Sequence, residues 1–225
     1  MNRATRINVV TLGVMLALSG MLGHGLFEVL QGNTPTGGLF IEAIGEAQRM
    51  WEHGTEGAFT IIPNFLITGL LAMAVSLCII IWSVGFVHKK QGPLVFLCLF
   101  ILLFLVGGGV AQVAFFLPAW AASTRIRKPL TWWRRVLPEA LRRVLARLWS
   151  CFLIAASLLL VIGLVISVTG FVPGVNDADL ILSIDWSLLG IGYLLYMLAL
   201  VAGFAYDIER QTDSSEGQKK TKERK

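Results

Sequence analysis

The chain has 225 residues, of which 56% are hydrophobic and only 15% charged, with a formal charge of +5 and a mean hydropathy of +0.72. A soluble domain carries about a quarter charged residues, so an ordinary soluble fold is excluded. Apolar runs of roughly 20 residues match a hydrocarbon core about 30 Å thick, and they predict an all-α, multi-pass transmembrane helical bundle. About five hydrophobic segments and two amphipathic interfacial helices make up residues 1–206 as one transmembrane domain, followed by a charged tail.

The first span is expected over residues 7–28, behind Arg3 and Arg6. It imitates a secretory signal, but its apolar run exceeds the length of a typical signal core and no small-residue cleavage site follows. Gly13, Gly20 and Gly23 are the small residues that let membrane helices approach closely. Beyond a glycine- and proline-rich turn, Phe40, Ile44, Ala47 and Trp51 recur at helical spacing among Glu42, Glu46 and Arg49, which predicts an interfacial helix over 37–52.

The second span is expected over 58–87 and ends in the basic turn His88-Lys89-Lys90. A third apolar run, 94–123, contains Gly107-Gly108-Gly109. Residues 130–147 hold Arg134, Arg135, Arg142, Arg143 and Arg147 beside Trp132 and Trp133, a basic interfacial helix suited to anionic lipid headgroups. Its tryptophans fall at apolar rather than exposed positions, which argues against nucleic acid. Further spans are expected at 148–169 and 186–206, then a disordered tail over 207–225. Cys78, Cys98 and Cys151 lie in or beside apolar runs and predict no disulfide framework.

Orientation depends on the run 94–123. The positive-inside rule puts the N-terminus in the cytoplasm and the chain in the cell membrane. If 94–123 crosses once, the most basic segment falls outside and the loop bearing Asp177, Asp179 and Asp185 falls inside. If it turns back at the glycines, every loop obeys the rule, and Tyr206 and Asp207 share a face with the basic helix. Folding it in two leaves about 22 Å per arm, too short to cross. Glycine-rich spans are common, so a single span is the expectation and a re-entrant hairpin the alternative.

Candidate ligand- or ion-binding residues are His24, Glu28, Glu56, Thr60, Asn64 and Gln112. His24 and Glu28 stand four apart, hence on one helical face, while Glu56, Thr60, Asn64 and Thr68 repeat every four residues along the second span. Antiparallel packing brings both sets to one level near the outer leaflet. An imidazole with carboxylates suits a cation, a proton or a cationic ligand; the plainer reading makes them caps and interhelical hydrogen bonds. No pattern identifies a metal or calls for a cofactor. No nucleotide loop, nucleophile elbow or Cys-x-x-Cys pair is present. These residues point to a small transport or permease-like component, with a non-enzymatic accessory protein bound to a membrane partner as the alternative. A membrane enzyme with an outer-face His/Glu site ranks third.

Overall fold

The computed structural model describes residues 1–223, with side chains through Thr212. Among the described residues, four helices are long and apolar enough to cross a membrane, and they form an all-α bundle with one small sheet. The first comprises α1 (Arg3–Leu18), a π-helical stretch Ser19–Gly25, and α2 (Leu26–Leu30). It runs through the middle of the bundle, with Val9, Leu12, Leu16 and Ala17 buried. Close approach requires small residues on its inner side: a Cβ at Gly13 would stand 2.6 Å from Ser83 Oγ, and one at Gly25 would stand 2.9 Å from the carbonyl oxygen of Gly69.

Strand β1 (Phe40–Glu42), β2 (Gly57–Thr60) and β3 (Val106–Gly109) form an antiparallel sheet in the order β1-β2-β3. Phe40 pairs with Phe59, and Ala58 pairs with Gly109. The interfacial helix expected over 37–52 is therefore absent, replaced by β1 and a short 3-10 turn, Glu46–Gln48. Its apolar spacing suited a helix, but Gly37 takes a positive φ, Gly45 interrupts the run, and strand pairing satisfies the backbone instead. The segment closes the far end of the bundle. Gln31 donates to the carbonyl of Ala43 at 2.8 Å, Trp51 Nε1 donates to the carbonyl of Ser167 at 2.9 Å, and His53 lies 3.1 Å from Asp179.

Helix α3 (Phe65–Gly85) begins later than the expected 58, because Pro63 and the N-cap residue Asn64 start it. The run 94–123 does not cross once, contrary to the expectation. It breaks into α4 (Gly92–Leu105), β3 and α5 (Gln112–Ser123). Gly107 takes φ +106°, a conformation open to glycine, and three consecutive glycines have little helical propensity. At 1.5 Å per residue the arms are about 21 and 18 Å long. The first arm begins and the second ends on the face that carries the N-terminus. Trp82 Nε1 donates to the Gly92 carbonyl at 3.1 Å, Arg6 donates to the Val84 carbonyl at 3.1 Å, and Asn2 donates to the carbonyls of Arg125, Ile126 and Lys128 at 2.7–2.9 Å.

The basic segment splits at Pro138 into α6 (Thr131–Val136) and the start of α7 (Glu139–Thr169), which exceeds the expected 148–169 span. Helix α8 (Ala178–Glu223) returns against α7. The tail expected to be disordered from Asp207 instead continues α8, with Asp207 and Ile208 buried; residues 224 and 225 lie outside the described residues. Asp207 accepts from the backbone N–H groups of Ala4 and Thr5, each at 2.9 Å, and from Thr5 Oγ1 at 2.7 Å. A carboxylate placed there satisfies free N–H groups and meets the positive end of the α1 dipole. Glu209 pairs with Arg142, and Tyr206 packs on Trp149 with ring centroids 4.9 Å apart.

Outward-facing Leu70, Leu77, Ile81, Ile154, Leu158 and Leu194 are each more than half exposed, as lipid contact requires. In a cysteine-free background, Lys128→Cys is expected to react with a membrane-impermeant maleimide only from the face bearing the N-terminus, and Asn176→Cys only from the opposite face. Labelling of Lys128→Cys from the face opposite the N-terminus, with Asn176→Cys labelled from the N-terminal face, would refute the hairpin topology.

Candidate functional site

The π-helical stretch delivers His24 to the interior at the far end of the bundle, where its side chain is 1% exposed. Single π turns inside α-helices recur at functional sites, because they rotate the side chains that follow. His24 and Glu28, expected to pair four residues apart, do not: neither oxygen of Glu28 has a hydrogen-bond partner. His24 Nε2 instead lies 2.8 Å from Glu56 Oε2, across to the loop before β2. Glu56 Oε1 accepts from Ser167 Oγ at 2.9 Å, which ties the cluster to α7.

Glu28 is fully buried, and neither carboxylate oxygen has a hydrogen-bond partner. The glycine strand closes over both side chains. A Cβ at Gly107 would collide with the Glu28 carboxylate, and one at Gly109 would collide with the His24 ring. Positions two apart on a strand share a face, so the glycines present bare backbone to this acid and this imidazole. Gln112, at the start of α5, stands beside Gly109 and donates to Ser19 Oγ at 3.3 Å.

Four of the six expected site residues, His24, Glu28, Glu56 and Gln112, therefore meet at the hairpin tip. Thr60 and Asn64 do not join them. The four-residue repeat from Glu56 to Thr68 is not a helical stripe, since Glu56 lies in a loop, Thr60 on β2 and Asn64 at the helix cap. Thr60 Oγ1 lies 2.6 Å from Thr68 Oγ1, and Asn64 accepts from the Ile67 N–H at 3.1 Å. These contacts hold the β2–α3 corner.

Sequence reasoning missed two members. Asp185 on α8 is 4% exposed, lies against the Ser167 hydroxyl and the Glu56 carboxylate, and leaves Oδ1 without a partner. It sat in the presumed loop before the last span, and only the earlier start of α8 at Ala178 brings it inside. Ser167 carried no signal, as serines are ordinary in apolar helices.

Among the described residues, no three His, Cys, Asp or Glu side chains converge enough to hold a metal ion together. The Ser167 hydroxyl donates to a carboxylate and not to His24, so it is not a serine activated by an adjacent base. No protein-family model, curated protein or solved structure matches the chain.

Burial alone would raise the pKa of Glu56, but the hydrogen bond and charge of His24 and the Ser167 hydroxyl together carry it below its ordinary 4.5. A depressed carboxyl pKa stabilises the fold above the unfolded value, and that stabilisation is lost as pH falls through the folded value. Glu56→Gln is accordingly expected to lower the melting temperature in detergent at pH 7 and to lose that deficit progressively as pH falls below about 4.5. A deficit of the same size across the acid range would refute the ionic role of Glu56.

Proposed function

We propose that the protein is a transport component of the cell membrane, with its N-terminus in the cytoplasm and the His24–Glu28–Glu56 cluster as the binding site of the path. The observation that carries this reading is the broken segment: two short helices enter from the N-terminal face and meet in a glycine strand that rests on a buried acid and imidazole. Irregular backbone at membrane depth is tolerated where protein or a water-filled path satisfies it. Discontinuous helices near buried ionisable groups are the usual construction of a substrate site in transporters. Glu56 is a quarter exposed, which opens the cluster toward the far face.

Charge supports the orientation. Arg3, Arg6, Lys89, Lys90, Arg125, Arg127 and Lys128 share the N-terminal face, while Glu42, Glu46, Asp177 and Asp179 belong to loops on the other. The concentration of positive charge is felt by His88, whose pKa lies below its ordinary 6.5 through burial and the nearby Arg6, Lys89 and Arg127.

Transport requires access from both faces in turn. In the cysteine-free protein, Gln112→Cys is expected to react with an impermeant thiol reagent from either face, because the hairpin must part from the cluster. An oxidised Thr60→Cys, Val106→Cys pair, which joins β2 to β3 at positions that already carry side chains, is expected to abolish reaction from the N-terminal face until reduced. Reaction from one face only, unaffected by that lock, would leave a static accessory protein.

A second surface faces lipid. Trp132 and Val136 are 60% and 49% exposed on α6, flanked by Arg134 and Arg135. Among the described residues Arg142 and Arg143 are taken by Glu209 and Glu139, and Arg134 donates to Thr212. This leaves Arg135 and Arg147 as the arginines best placed for headgroups. A membrane of anionic lipid is the partner this face suits. Arg135→Gln with Arg147→Gln is expected to reduce the phosphatidylglycerol retained in native mass spectrometry relative to phosphatidylcholine, and unchanged retention would refute the contact.

A further inference from the structure

Two turns of the chain are fastened to the start of α1 at the N-terminal face. Asn2 holds the turn after α5 through the carbonyls of Arg125, Ile126 and Lys128. Arg6, one helical turn further along α1, donates to the Val84 carbonyl near the end of α3 at 3.1 Å. The turn between α3 and α4 carries His88, Lys89 and Lys90, and the turn after α5 carries Arg127. Arg6, Lys89 and Arg127 all lie close enough to His88 for their charges to act on it, and every charge that does so is positive. Separate segments therefore crowd cations around one imidazole. Among the described residues none of these side chains is in an ion pair, and His88 Nδ1 has no hydrogen-bond partner. Like charges held together repel, and an anion placed between them removes that cost.

The surroundings select the anion. Guanidinium, ammonium and imidazole groups are the donors that suit phosphate oxygens, since Arg presents a planar fork and Lys a compact point charge. The start of α4 adds to them: it begins at Gly92, directly after the basic turn, with no capping side chain and no acid in its first turn. Beside the Val84 carbonyl the surface is apolar, with Ile81, Val84 and Phe86 exposed by 55%, 52% and 43%. A ligand with phosphate at one end and hydrocarbon at the other fits both parts, whereas an acidic peptide has no use for the apolar wall. We propose that Arg6, His88, Lys89 and Arg127 bind the phosphate of an anionic phospholipid whose acyl chains lie along the end of α3. The site is separate from the arginines of α6 and α7, and it does not depend on the transport reading. It lies where α4 starts and α5 is followed by its turn, so the bound lipid braces the open ends of the hairpin.

The full chain with isotope-labelled histidine is placed in phosphatidylcholine nanodiscs, with and without phosphatidylglycerol, and titrated by nuclear magnetic resonance; His88→Gln identifies the His88 signal. Phosphatidylglycerol is expected to raise the pKa of His88 more than that of His53 on the opposite face, which registers the general surface potential of the disc. Arg6→Gln with Arg127→Gln is expected to remove the excess. In native mass spectrometry the same pair is expected to weaken retention of phosphatidylglycerol relative to phosphatidylcholine by roughly fivefold for each arginine lost. Should that pair fail to fold, Lys89→Gln in the exposed turn gives the same readouts. Arg125→Gln, in the turn after α5 but not among the charges acting on His88, is expected to leave both readouts unchanged. Equal rises at His88 and His53 would overturn the proposal, as would an equal loss with Arg125→Gln, because diffuse positive charge would then account for the attraction. Sodium phosphate added to phosphatidylcholine discs at constant ionic strength is expected to leave His88 unmoved. A rise as large as that produced by phosphatidylglycerol would overturn the lipid in favour of free phosphate.

Discussion

Backbone hydrogen bonds must be satisfied inside an apolar bundle, and this constraint bears hardest on Val106–Gly109, where the chain leaves helical geometry between α4 and α5. The missing partners come from β2: Ala58 and Thr60 pair with Gly109 and Val106, and the Ile61 and Val110 N–H groups donate to the carbonyls of Leu105 and Gly57 at 2.9 and 3.1 Å. The hairpin therefore depends on a strand supplied by the loop between the first two spans. That dependence sets the topology. Because the segment returns to its starting face, α7 and α8 run with the polarity that places their basic ends beside the N-terminus.

The same strand determines what is buried beneath it. A side chain at position 107 or 109 would displace Glu28 or His24, so the bare glycine face is what allows an acid and an imidazole to lie directly under backbone. Glu56 and Ser167 join from the cap and from α7, and Asp185 from α8. Every long helix except α3 thus delivers a polar group to one place. Such convergence is costly in an apolar interior and needs a compensating use. The interior nearer the N-terminal face is satisfied differently: Asn8 donates to the Ala199 carbonyl at 2.6 Å and accepts from Trp149 Nε1 at 2.8 Å, leaving a closed polar contact.

Four helices long and apolar enough to cross were legible because long apolar runs are a property of the local sequence, as were His24 and Glu28 as candidate polar residues at the far end of the first span. The hairpin was legible in the charges of the loops but was outweighed by the ordinary occurrence of glycine in membrane helices. Charge parity was the better guide, since it sums over the whole chain whereas a glycine patch has many uses. The helix expected over 37–52 failed because helical spacing at Phe40, Ile44, Ala47 and Trp51 says nothing of a distant strand partner at Phe59. Asp185 and Ser167 were not legible at all. Their place in the cluster follows from the packing of α7 against α8, which local patterns do not encode.

Asp207 carries a consequence for how the chain is built. The N–H groups of Ala4 and Thr5 belong to α1, yet their acceptor lies 203 and 202 residues later, on α8. During synthesis the start of α1 must rely on water or headgroups until α8 arrives. The N-terminus is then fastened a second time, as Gln211 donates to Asn2 Oδ1 at 2.9 Å and Asn2 holds the loop after α5. The first helix is thus completed by the last one, and the finished bundle has a latch that an ordered succession of independently inserted helices would lack.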